Sequence, residues 1–320
     1  MPPSRRPTLL AALAVAAALV VLWAALAAAR RLRAPSRREG FDEKPVADSD
    51  AEPELKTVHE LRTKEGARAE VVDTGRADLG KCLMINGKVQ LCERDEHRYH
   101  EMLVHFPAAY LPEGPERVLI VGGADCMALR EVLKYPSLKA VVVIEPDEQL
   151  VSLCEDQFLT SRQTKDARVR FLFGPVGDTV RRLHTPENLQ TYDLVIVDTK
   201  ERPGVSASAS GKEFVGDLHV LLSPRGVLVK NGDGAESALR QSFAHVLPFG
   251  FDAPTFSKRY VMAIASDSDL RSRKIDASAI KDKHSISTTF YKPDQHLSFI
   301  PWLSQIKRTG LNAVAASVRK

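Results

Sequence analysis

The sequence predicts an α/β protein built on a mostly parallel, doubly covered sheet with an antiparallel last strand, preceded by a small antiparallel β domain. Three observations carry that prediction. From residue 117 onward short apolar runs alternate with helix-period segments, as strands buried on both faces and joined by crossover helices do. Two late runs, 251–256 and 260–265, lie too close for a crossover helix and must pair antiparallel. Before all of these, Asn86-Gly87 stands between two alternating arms, the pair that a two-residue type I′ hairpin turn demands.

Composition bounds the rest. With 320 residues, 44% hydrophobic and 27% charged, the chain holds one sizeable core and a smaller companion domain. The net charge of +4 is carried by the N-terminus, where residues 1–40 have seven Arg against one Glu and leave −2 for residues 41–320. A folded part without a basic excess argues against a nucleic-acid partner.

In chain order, Thr8 to Ala29 is 22 residues without a charge, long enough at 1.5 Å per residue to cross a hydrocarbon core of about 30 Å. Arg5 and Arg6 precede it, and Arg30, Arg31, Arg33, Arg37 and Arg38 follow. The heavier basic flank puts the folded part on the cytoplasmic side. The expectation is a single-pass membrane protein, anchored in residues 1–40 and touching the membrane through residues 8–29. The alternative is a cleaved leader and a secreted or organellar protein. Residues 41–56, rich in Asp and Glu, read as a solvated linker.

Residues 57–106 form the predicted β-hairpin domain. Pairing across Asn86-Gly87 sets Ile85 against Lys88 and Cys82 against Leu91, which turns Cys92 away from Cys82, so no disulfide is expected. Cys126 and Cys154 are isolated in the sequence. All four thiols read as buried and reduced, without metal-ligand spacing.

Residues 107–270 form the predicted Rossmann-like domain, with residues 271–320 as an extension packed on it. It opens with the strand 118–121, the turn Gly122-Gly123, a helix through Leu129 and Leu133, and the strand 140–144, ended by Glu145. The order continues as helix 148–158, strand 169–173, helix 176–183, strand 194–197, helix 214–222, strand 227–230 and helix 236–246. Glu145 lies about 20 residues past the glycines, where Rossmann-like folds hold a nucleoside ribose. Asp198 ends its strand at the carboxyl edge, where open α/β sheets bind ligands. Asp125, after the glycines, is placed to cap the next helix, to face a ligand, or both.

Several stretches resemble the spermidine synthase (aminopropyltransferase) family. Its G-G-G-D-G-G turn stands here as Gly122-Gly123-Ala124-Asp125-Cys126-Met127, followed by Leu129 to Val132 for L-R-E-V and by Glu145-Pro146-Asp147 for E-x-D. Residues 93–102, ERDEHRYHEM, match E-R-D-E-x-x-Y-H-E-M, and residues 290–303 match the family's C-terminal Y-x-x-x-x-H-x-x-x-F-x-x-P. The resemblance runs from about Ala69 to Leu303 and implies a class I methyltransferase-type fold.

It also implies aminopropyl transfer from decarboxylated S-adenosylmethionine, a co-substrate, to a polyamine or other small amine, with no prosthetic group and no metal. Asp198 would be the proton acceptor and Tyr99 would orient the amine. His100, Gly122, Gly123, Asp125, Glu145, Asp147 and Gly174 would bind the nucleoside co-substrate, and Glu201, Asp233 and Phe256 the acceptor. The Asn86-Gly87 hairpin would join a homodimer, or a heterodimer with a related synthase.

The departures from the pattern cluster. Gly174-Pro175-Val176 replaces G-D-G, removing a carboxylate that accepts from the adenine amino group. Ala69 stands where a Gln is expected. The lid 202–210 is composed of small residues, Asn231-Gly232-Asp233-Gly234-Ala235-Glu236 replaces Q-G-E-S-x-W, and Pro254-Thr255-Phe256-Ser257 is a shortened P-T-Y-P-x-G. Two other readings stay open at this point: a catalytically dead paralogue that regulates or scaffolds an active synthase, and a small-molecule methyltransferase on the same fold.

Overall fold

The computed structural model describes residues 55–199, 211–231, 235–256 and 258–300. Within them the chain folds into a four-stranded antiparallel sheet followed by a seven-stranded sheet. The small sheet is a meander of β1 (Lys56–Arg62), β2 (Arg68–Asp73), β3 (Lys81–Ile85) and β4 (Lys88–Cys92). Asn86 and Gly87 take φ of 49° and 72°, the two positive values that a type I′ turn requires.

Ile85 faces Lys88 as expected, but the register slips between Leu83 and Met84, so Cys82 pairs with Cys92 and Leu83 with Leu91. Gln90 is the extra residue of this bulge. The slip brings the two sulfurs together in a disulfide with a Cα–Cα distance of 4.1 Å. This corrects the expectation of four reduced thiols, because a bulge shifts every later residue of the arm by one position. Cys126 and Cys154 are buried thiols outside any disulfide.

The large sheet runs in the order β10-β11-β9-β8-β5-β6-β7. Its strands are β5 (Arg117–Gly122), β6 (Ala140–Glu145), β7 (Val169–Phe173), β8 (Tyr192–Asp198), β9 (Leu222–Asn231), β10 (His245–Ala253) and β11 (Lys258–Ser266). β5 pairs in parallel with both β6 and β8, and β11 is antiparallel to both β9 and β10. The strand order therefore reverses between β5 and β8, the switch point at which a crevice opens beyond the carboxyl ends of the strands.

One apolar cluster covers the face that meets α1 (Glu96–Ala108), α2 (Met127–Leu133) and α3 (Glu148–Phe158). A second covers the face that meets α5 (Val176–Arg182), α6 (Lys212–His219) and α7 (Ala235–Leu239); the four-residue α4 (Ser161–Thr164) lies before β7. Helix α1 is buried at every position from Tyr99 to Ala108, so this stretch is core as well as site. Its Glu101, 2% exposed, accepts the backbone N–H groups of Thr289, Phe290 and Tyr291 at 2.7–2.8 Å and ties down the C-terminal segment.

The helix expected at 236–246 ends at Leu239, and β10 begins at His245. All nine residues of β10 pair with β11, so ladder formation overrides the helical spacing. Pro248 is tolerated because β10 is an edge strand.

The membrane localisation expected from residues 8–29 is corrected. Among the described residues no helix is long and apolar enough to cross a membrane. Helix α1, at 13 residues, would extend only about 20 Å against the roughly 30 Å of a hydrocarbon core. Residues 8–29 themselves lie outside the described residues.

Candidate active site

The switch point is built by close approach of two strand ends. Gly122 and Asp198 are register partners across β5 and β8. Gly122 has φ +85°, and a Cβ there would stand 2.5 Å from the carbonyl oxygen of Asp198. Only glycine fits. The chain then passes Gly123 and Ala124 to Asp125, whose Oδ1 accepts from Met127 N at 3.0 Å and so holds the first turn of α2. Cys126, between them, takes φ 59°, left-handed backbone where the family's turn has a glycine.

Asp198 is 4% exposed. The Tyr99 hydroxyl donates to its Oδ1 at 2.5 Å, Asn231 Nδ2 donates to the Tyr99 oxygen at 2.5 Å, and Asn231 Nδ2 lies 3.3 Å from Asp198 Oδ1. Burial, and after it the Asp198 charge, pushes the Tyr99 phenol far above its ordinary range. Tyr99 therefore stays a neutral donor and fixes the carboxylate without competing for its proton.

His100, fully buried on the same helix, sits between two carboxylates. Its Nδ1 meets Glu96 Oε2 at 2.8 Å, and its Nε2 lies 3.5 Å from Asp125 Oδ1. Burial alone would lower its pKa, but Asp125 and Glu96 outweigh it and push the value up to about 10. Arg130 on α2 clamps Glu96 from behind, with Nη1 and Nη2 at 2.9 and 3.1 Å from its two oxygens.

Two adjoining small cavities share Gln90. The larger reaches Gly123, Asp125 and Asp198, and the smaller reaches Tyr99, His100 and Phe256. Phe256 and Tyr260 form an aromatic wall, with ring centroids 5.9 and 5.2 Å from Tyr99. Thr255 anchors that wall by donating its backbone N–H to Asp95 Oδ2 at 2.7 Å, and its hydroxyl also bonds to Asp95.

Six sequence-predicted residues thus converge at the β5–β8 edge: Tyr99, His100, Gly123, Asp125, Asp198 and Phe256, with Gly122 making the approach possible. Glu145, Asp147 and Gly174 form a neighbouring group at the ends of β6 and β7. Glu145 is fully buried and its Oε1 accepts from Asp147 N at 3.2 Å. The Asp147 carboxylate is taken by backbone: Oδ1 caps α3 through Gln149 N and Leu150 N, and Oδ2 accepts from Lys64 N at 2.6 Å. Gly174 N bonds to the Glu145 carbonyl at 3.3 Å. Glu201 and Asp233 lie outside the described residues.

Sequence reasoning missed Gln90 and Asn231. Gln90, 7% exposed, is the bulge residue, and nothing in the alternation of its strand marks a bulge. Ala69, where a Gln was expected, is buried and pairs with Ile85. Asn231 carried a signal, a polar residue two positions past the apolar run 227–229, one strand over from Asp198.

His100, Asp125 and Asp198 each offer an atom within 4.8 Å of the others, a spacing that suits a cation. A carboxylate-rich, buried cleft of this kind also suits an organic cation, an ammonium or a sulfonium.

The Spermine/spermidine synthase domain family model matches residues 96–264. A polyamine aminopropyltransferase of Halorhodospira halophila is 36% identical over 202 residues, covering 61% of this chain and 69% of that protein. Polyamine aminopropyltransferase 2 of Caldanaerobacter subterraneus subsp. tengcongensis is 33% identical, covering 63% and 67%. A crystal structure of spermidine synthase in complex with the transition state analogue AdoDATO superposes with TM-score 0.69 at 22% identity, covering 77% of this chain and 85% of that one. The spermidine synthase of Thermotoga maritima gives TM-score 0.67, also at 22%, covering 77% and 84%. At that identity the structural likeness concerns the fold. The domain match spans more than half of the chain, and with the two aminopropyltransferase relatives it shows that the protein belongs to the spermine/spermidine synthase family.

Proposed function

We propose that this chain is a polyamine aminopropyltransferase, which moves the aminopropyl group of decarboxylated S-adenosylmethionine to an amine acceptor in polyamine biosynthesis. The observation that carries the reading is the buried Asp198 carboxylate, held by Tyr99 and Asn231 at the sheet's switch point beside His100 and Asp125. The chemistry needs such a carboxylate. The amine lone pair attacks the methylene bonded to the sulfonium sulfur, and the carbon–sulfur bond breaks with its electrons returning to sulfur. The products are neutral 5′-methylthioadenosine and the lengthened amine, whose surplus proton passes to Asp198. Sulfur leaves without an acid, so the protein's task is to align the reactants and take that proton.

In this reading Glu145 accepts from the ribose hydroxyls, and Asp125 with His100 meets the aminopropyl ammonium. Gly122, Gly123 and Gly174 keep the nucleoside crevice open, and Asp147 supports it by capping α3. Tyr99 and Phe256 flank the acceptor's carbon chain, while Glu201 and Asp233 hold its distal ammonium. The Asn86-Gly87 hairpin pairs two copies, or one copy with a related synthase. The residue ranges 57–106, 107–270 and 271–320 serve as hairpin, catalytic and capping domains.

Pro175 favours a second reading, a regulatory paralogue. It begins α5 with no side-chain cap, and proline has neither carboxylate nor N–H to offer adenine. The test is release of 5′-methylthioadenosine from decarboxylated S-adenosylmethionine with putrescine, cadaverine, agmatine or spermidine as acceptor. Release with any of them supports the enzyme. No release, with recovery of a related synthase in pull-downs, supports the regulator.

A further inference from the structure

Three carboxylates and one fully buried imidazole share the space where the aminopropyl arm would lie. His100 is faced from its own helix by Glu96 and by the Tyr99 ring, with centroids 5.0 Å apart. From the turn before α2 it is faced by Asp125, and from the end of β8 by Asp198. Arg130 reaches it only through Glu96. Arg130 is itself fixed, its Nε lying 2.8 Å from Glu131, which is 1% exposed and also bonds His105 at 2.9 Å and Lys134 at 2.5 Å. Glu96 therefore has one position open to it. With Glu96 accepting at Nδ1, the Nε2–H of the imidazolium points at Asp125, the same oxygen that an incoming ammonium needs.

We propose that His100, held by the Arg130–Glu96 pair, is an internal stand-in for the ligand's ammonium, so that binding the aminopropyl arm at Asp125 expels the Nε2 proton to solvent. Glu96 is then a positioning residue that makes recognition of the cationic arm proton-linked, while recognition of the nucleoside alone is not. The direction follows from Coulomb's law. A unit positive charge about 4 Å away, at an effective dielectric of about 20, lowers a pKa by roughly three units. The ligand brings two such charges, ammonium and sulfonium. From a starting value of about 10, His100 would become neutral at pH 8. The expelled proton offsets one of the two charges, with no bond to carbon or sulfur made or broken. An uncharged ligand lacking the arm leaves His100 protonated. This inference rests on the proposed function and specifies how its co-substrate is told apart from its nucleoside product.

The experiment is calorimetry at pH 8 in buffers of different ionisation enthalpy, with decarboxylated S-adenosylmethionine and 5′-methylthioadenosine as probes, on the wild type and on Glu96→Gln. The wild type should release close to one proton with the first probe and close to none with the second. Glu96→Gln removes one of the two carboxylates that face His100 and leaves Asp125, so its imidazole starts less protonated and the variant should bind the first probe with a smaller release. If Glu96→Gln does not fold, His100→Gln serves the same purpose, with near-zero release expected. Equal proton counts for the two probes, or unchanged release in the folded variant, overturn the inference and leave the proposed function standing. A wild type that binds neither probe overturns both.

Discussion

Glu145→Gln isolates the nucleoside half of the site. Glu145 is fully buried at the end of β6, and its Oε1 is already engaged by Asp147 N at 3.2 Å. An amide of the same shape keeps its oxygen toward that N–H and turns its NH₂ toward the ribose, so one charged acceptor is lost while the fold is kept. A hydrogen bond to a charged group contributes about 1.5 to 3 kcal/mol, which converts to roughly one to two decades in affinity. Calorimetric titration with 5′-methylthioadenosine should therefore show a Kd weaker by about one to two decades, with a thermal midpoint close to that of the wild type. The nucleoside is the right probe because it lacks the aminopropyl arm and tests Glu145 apart from Asp125 and His100. Affinity within about two-fold of the wild type would refute the assignment of Glu145 to the ribose.

Further expectations concern stability. Glu101→Gln presents an NH₂ to backbone donors where three N–H groups converge at 2.7–2.8 Å; it should cost about 2 to 3 kcal/mol, and a Tm drop under about 2 °C would contradict the tethering role. Opening the Cys82–Cys92 bond, which closes a loop of sequence separation 10, should cost about 2 to 3 kcal/mol; a melting curve insensitive to reductant and to Cys82→Ser would speak against the bond. His100 has a folded pKa raised to about 10, so its stabilisation is fully present below about pH 6.5 and is lost as pH rises through 10. Denaturant titrations between pH 7 and 10 should show stability falling with a slope approaching about 1.4 kcal/mol per pH unit, and His100→Gln should flatten it.

What the sequence made legible was whatever local pattern dictates. Apolar runs 118–121, 140–144 and 194–197 became parallel strands because nothing but a doubly covered sheet accommodates them, and Gly122, Glu145 and Asp198 fell at strand ends for the same reason. What stayed hidden depended on tertiary pairing. The bulge at Gln90 breaks no rule of composition, yet it creates the disulfide and turns Gln90 into the cavity. His245 and Val246 read as helix until β11 supplies a full ladder. Arg130 and Glu96 stand 34 residues apart in the chain, and only the packing of α2 on α1 sets them behind His100. The membrane placement expected from residues 8–29 is not supported among the described residues, where no helix is long and apolar enough to cross a membrane.

The central claim is that Asp198 accepts the amine's proton in an aminopropyl transfer. Single-turnover release of 5′-methylthioadenosine, compared between the wild type and Asp198→Asn at saturating decarboxylated S-adenosylmethionine and acceptor amine, tests it most directly. Loss of a general base costs roughly 10² to 10⁴ in rate. The account predicts a fall of that size with nucleoside affinity unchanged within about two-fold, because the amide introduced by Asp198→Asn keeps the shape of the carboxylate but cannot take the proton. A variant that turns over within about ten-fold of the wild type, or a wild type that releases no product with any acceptor amine, would contradict it.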